Sequence, residues 1–148
     1  MQKSFIINVE TVVIFKNLTQ RANMTKESYF LLFISIGVFP AALGYGLNPK
    51  EFLPILYRIE VADNNLSNIF RAIMGLYIGC VLLWVFGAFN ESLTVPALWC
   101  MFVFMFGIGF GRALSLILDG MPDTIFVFFM IFEFIAAGIT FYLLKAKA

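Results

Sequence analysis

Four long apolar stretches, at about residues 29–46, 67–89, 96–118 and 124–144, decide what this chain can fold into. Each approaches the roughly 20 residues a helix needs to cross the hydrocarbon core of a bilayer. Lipid offers no partner to an open backbone group, so a spanning segment must satisfy its own N–H and C=O groups, as a helix does. The alternating pattern of a membrane β-barrel is missing. Composition points the same way: 61% of the residues are hydrophobic and 13% charged, more apolar surface than one soluble core of 148 residues can bury. The expected fold is all-α, an integral membrane four-helix bundle. It fills residues 25–148 as one domain, after an extension over residues 1–24.

Local signals set the boundaries. Asn48-Pro49-Lys50-Glu51 reads as a cap, a proline at the first helical position and an acidic residue at the third. It opens a short helix over 49–59, whose Phe52, Leu53 and Leu56 oppose Lys50, Glu51 and Arg58. That pattern predicts an interfacial helix in the first outward loop. Asp63-Asn64-Asn65 caps the second span, Pro96 falls in the first turn of the third, and Asp119-Gly120-Met121-Pro122 makes the tight turn before the fourth. In residues 1–24, Phe5, Ile6, Val9, Val12 and Val13 recur at helical spacing. This segment reads either as an interfacial amphipathic helix or as an extension upstream of a start at Met24.

Basic residues predict the orientation. Lys3, Lys16, Arg21 and Lys26 precede the first span and Lys145 and Lys147 follow the last, whereas the opposite side carries Lys50 and Arg58. Both termini are therefore expected in the cytoplasm, with Trp84 and Trp99 at the cytoplasmic headgroup level. The net charge of +1 and the scatter of Lys and Arg give no nucleic-acid surface. Histidine is absent, which removes His-based acid–base catalysis and the commonest zinc and haem ligands. The two cysteines, Cys80 and Cys100, form no CxxC motif and read as small packed hydrophobes. There is no phosphate-binding loop, nucleophile elbow or metal-ligand cluster, and neither a metal nor a cofactor is expected.

The informative residues are the charges within the spans. A charge at the centre of a membrane helix costs roughly 2.5–3.5 kcal/mol, so it turns inward and finds a partner. Arg71 lies in the second span, Arg112 in the third and Glu133 near the middle of the fourth. Arg112, Ser115 and Asp119 share one helix face. Glu133, Ala136, Ala137 and Thr140 make a stripe of polar and small residues, as do Arg71, Gly75 and Gly79. Two GxxxG runs, Gly75/Gly79 and Gly107/Gly111, predict close helix packing. The expected site is an outward-facing pocket with Arg71, Arg112 and Asp119 at its mouth and Glu133 at its floor. The plainer alternative is an ion-pair network that staples helices together.

The stretches Ala42–Pro49, Asn68–Tyr77 and Gly111–Pro122, with an arginine in each of the last two, resemble a bacterial family of small four-helix membrane proteins known as domain of unknown function 4345. The resemblance covers about residues 29–145 and implies a bacterial inner-membrane protein, without implying a reaction. The leading functional expectation is a non-enzymatic module that binds a lipid or lipophilic anion, or serves as an accessory subunit of a membrane complex. A second reading is a small oligomeric transporter that uses Glu133 as its protonatable group, and a third is a quinone- or lipid-linked enzyme subunit. The expected partners are membrane lipids and either further copies of the chain or a larger assembly.

Overall fold

In the computed structural model, which describes residues 24–147, five helices follow one another: α1 (Lys26–Gly46), α2 (Pro49–Tyr57), α3 (Asn64–Phe89), α4 (Glu91–Leu118) and α5 (Thr124–Lys145). No strand occurs among the described residues. The four long helices are each long and apolar enough to span a bilayer. The expected helix over the first 24 residues lies almost wholly outside the described part. The bundle is a chain of packed pairs, with α1 along α3, α3 along α4, and α4 along α5. Its core is apolar and centred on Leu31, Ile34, Val81, Trp84, Leu98, Met101 and Met105. Large side chains such as Phe33, Ile36, Leu76, Val103, Phe128 and Tyr142 face outward, as lipid permits.

Three spans begin earlier than their apolar runs do, because polar caps extend them. The Thr25 hydroxyl accepts from the Ser28 amide at 3.3 Å and starts α1. Asp63 accepts from the Leu66 amide at 2.7 Å and starts α3. The largest revision is at α4. Asn90 alone separates α3 from α4 where a six-residue loop over 90–95 was expected. Its side chain accepts from the Ser92 amide at 3.1 Å and from the Ser92 hydroxyl at 2.8 Å. Pro96 consequently sits inside α4 and not in its first turn. At the other end, α2 stops at Tyr57, because Arg58 takes a left-handed conformation with φ 56°.

This one-residue connection needs a bare backbone on its inner side. A Cβ on Gly87 would collide with that of Ala97 and stand 3.0 Å from the Leu93 carbonyl oxygen. Thr94 closes the corner by donating to the Gly87 carbonyl at 2.9 Å and the Asn90 carbonyl at 3.2 Å. Other buried hydroxyls are satisfied within their own helices: Ser35 donates to Leu31 and Thr140 to Ala136, both at 2.7 Å. Trp84 departs from expectation. It is fully buried in the core, not at a headgroup, and packs edge to face on Phe104 with centroids 5.2 Å apart. Trp99, by contrast, is exposed.

The expected packing glycines also differ. A side chain at Gly75, Gly79, Gly107 or Gly111 would meet nothing within 4 Å, so these four serve no close approach inside the bundle. The glycines that do are Gly46, where a Cβ would stand 2.5 Å from that of Met74, Gly87 at the corner, and Gly109 against α5. Both GxxxG pairs lie on outward helix faces, because the helices are turned by their larger apolar side chains.

Candidate functional site

At the end of the bundle that carries α2, the interior turns polar and aromatic. Glu133 lies on the buried face of α5 with Ala136, Ala137 and Thr140. Opposite it, Gly109 of α4 keeps the helices close, since a Cβ there would stand 3.4 Å from the Cβ of Glu133. One turn nearer the α2 end, Arg112 reaches back across this seam. Its Nε donates to both Glu133 carboxylate oxygens at 3.0 Å. The side chains retain only 21% and 11% of their exposure, so both charges are largely withdrawn from solvent. Separating such a pair costs about 3–5 kcal/mol, because the remaining charge has no counter-ion. The guanidinium also lies 5.5 Å from the ring centroid of Phe126 and 5.6 Å from that of Phe129, within cation–π range.

Glu133 engages Arg112 through Nε alone. The two terminal nitrogens take no part in that pairing, and Tyr45 is a second neighbour of the guanidinium. Arg112 also lines a cavity of about 220 Å³ between α4 and α5, together with Ser115, Leu116, Pro122, Phe126, Val127 and Met130. Its walls are mostly apolar and its polar groups are concentrated at Arg112 and Ser115. The Ser115 hydroxyl donates to Asp119 at 2.7 Å, which places an exposed carboxylate beside the cavity without pairing it to Arg112.

Arg71 does not join this group. It is exposed on α3, on the same outward face as Gly75 and Gly79, and makes no ion pair or hydrogen bond among the described residues. The reason is depth and phase. Arg71 lies about 10 Å from the start of α3, so its long stem can carry the charge toward the headgroup level without an internal partner. The expected four-residue pocket is therefore narrower: Arg112 and Ser115 line the cavity, Glu133 pairs with Arg112 behind it and does not form its floor, Asp119 bonds Ser115, and Arg71 stands apart.

Three of the chain's five tyrosines take the place assigned to Arg71. Tyr45 of α1 stacks on Tyr57 of α2 at 5.4 Å and on Phe70 of α3 at 6.1 Å, and meets Tyr77 of α3 edge-on at 5.6 Å. Tyr57 continues to Phe126 of α5 at 5.5 Å. Tyr45 is also a neighbour of the Arg112 guanidinium. Burial, reinforced by Tyr45, pushes the Tyr57 hydroxyl up to about 12, so it stays neutral and able to donate. The short helix α2 is held over this end by Leu53, fully buried, and by the Lys50 ammonium, which donates to Asn64 at 3.3 Å. Sequence reasoning missed these tyrosines because each is a single amphipathic residue in an apolar run. The only signal was their presence in two of the motif stretches and beside Arg58. No cluster of three or more metal-binding side chains occurs among the described residues.

Four spanning helices with a buried ion pair and a half-open cavity define a small multi-pass membrane protein. The chain belongs to the family described as "Domain of unknown function (DUF4345)", whose profile matches residues 27–144 and so covers all four spans. No curated protein and no solved structure matches the chain.

Proposed function

We propose that this protein is a non-enzymatic membrane module that binds a lipophilic anion, with its carboxylate or phosphate on Arg112 and its apolar part between α4 and α5. The observation that carries this reading is the half-used guanidinium. Nε is committed to Glu133, while the same arginine lines a cavity with mostly apolar walls. Guanidinium groups favour planar, two-pronged contacts with carboxylate and phosphate. Glu133 neutralises Arg112 in the absence of ligand and holds it in one rotamer, so binding costs little further ordering. Ser115 supplies a second polar group on the cavity wall. A volume near 220 Å³ suits a headgroup and its first carbons. Glu133 already accepts from Arg112 through both oxygens, which favours a counter-ion role over that of a proton carrier. In this reading the cavity faces outward from a bacterial inner membrane and both termini are cytoplasmic, as the basic residues at Lys26, Lys145 and Lys147 suggest.

The test measures binding of a spin-labelled fatty acid and of phosphatidic acid to the protein in nanodiscs. Arg112→Met with Glu133→Met replaces the pair by apolar residues of similar length. It should fold, because such exchanges are often close to neutral, yet lose affinity about 10–100-fold, the worth of charge-assisted hydrogen bonds. Val127→Trp fills the cavity with the ion pair intact and should weaken binding comparably. Unchanged binding in both variants would overturn the proposal.

A further inference from the structure

Cys80 and Cys100 are the chain's two cysteines and stand ten residues before and ten after Asn90, the residue that joins α3 to α4. Two observed contacts bracket them on the seam of this hairpin. Toward the corner, Thr94 Oγ1 donates to the Gly87 carbonyl at 2.9 Å. Further from it, the rings of Tyr77 and Phe104 meet edge-on at 4.7 Å. Both contacts obey one antiparallel register, and Cys80 opposite Cys100 falls within one residue of it. The thiols are free, half-buried and packed against the rim of the core, on the helix faces that this register turns toward each other. At 1.5 Å per residue they lie about 15 Å from the corner, close to the bilayer midplane. Reagents dissolved in water do not reach that depth, whereas a neutral lipid-soluble molecule does.

We propose that Cys80 and Cys100 form a convertible dithiol–disulfide site, oxidised from within the membrane by a lipid-soluble acceptor of the quinone class. Two S–H bonds break and one S–S bond forms. Two electrons and two protons pass to the quinone, which leaves as the quinol. A disulfide requires Cα atoms about 4.4–6.8 Å apart, a spacing that only a tight helix seam provides. The approach of Gly87 to Ala97 lower on the same seam draws the backbones together in this way. Oxidation would staple α3 to α4 without touching the Arg112 cavity, so this site stands or falls independently of the binding proposal.

The full-length protein in liposomes is reduced, freed of reductant and exposed without oxygen to a short-chain ubiquinone. It is then denatured, alkylated at free thiols and weighed intact. The expected result is concerted loss of both alkylation sites, at least tenfold, in a monomer lighter by two hydrogen atoms. Cys80→Ser and Cys100→Ser should each leave the remaining cysteine alkylatable. Full alkylation of both thiols after quinone, a covalent quinone adduct, or a disulfide between two chains would each overturn the proposal. So would a disulfide that forms with copper–phenanthroline but never with the quinone.

Discussion

The two ends of helix α4 solve opposite problems. At Asn90 the chain reverses on a single residue, Gly87 admits Ala97, and Thr94 ties the two helices together through a buried hydroxyl. At the α2 end, α4 meets α5 across an ion pair, two aromatic rings and a cavity of about 220 Å³. Small residues and the buried Thr94 hydroxyl bond pack the first end closely. Charge and incomplete packing make the second one receptive. The proposed binding site thus falls where close packing has been given up, and the tight corner holds the helices that frame it.

Several substitutions would break or sharpen this contrast. The largest effect is expected from Glu133→Ala, which strands Arg112 in a largely desolvated position and should cost about 3–5 kcal/mol, seen as a sharp fall in thermal midpoint in nanodiscs. Gly87→Val comes next. Its branched side chain meets Ala97 and the Leu93 carbonyl, and an overpacking cost of about 3 kcal/mol should follow. Thr94→Val keeps the shape of the side chain but removes the donor to Gly87, with an expected loss of about 1–2 kcal/mol. Tyr57 makes the α2 end sensitive to alkali. Its raised value favours the neutral form in the folded protein, so its contribution is complete below pH 10 and is lost as pH rises through about 12. Melting curves across that window should show a decline that is weaker in Tyr57→Phe. The smallest effect belongs to Gly75→Leu and Gly107→Leu, which point into open space and should shift stability by less than about 0.5 kcal/mol. A large loss at either glycine would relocate the important contacts to the outer faces.

Much of the architecture was legible in the residues. The four spans, the short helix opened by Pro49 and the cap at Asp63 all follow from hydrophobic length and local polar chemistry. The first turns of α1 and α4 were hidden for the same reason. Lys26, Glu27, Glu91 and Ser92 are polar, and hydropathy ends where helix geometry does not. At the site, Arg112 and Glu133 were legible because an isolated charge at that depth must find a partner. Arg71 and the GxxxG glycines misled, because a motif on one helix says nothing of what lies opposite. Gly109, in the middle of its run, faces α5, while Gly107 and Gly111 on either side do not.

What the amino-acid order determined alone is that this chain crosses a membrane four times as helices. Bilayer thickness and the need to satisfy every backbone group act along one dimension, and a run of residues is enough to meet them. The tertiary structure alone decided which guanidinium is paired, which tyrosines gather at that end and which glycines touch a neighbour. Those outcomes depend on the rotation and register of each helix against the others. Side-chain volumes from several distant segments settle these jointly, and no single stretch of sequence carries them.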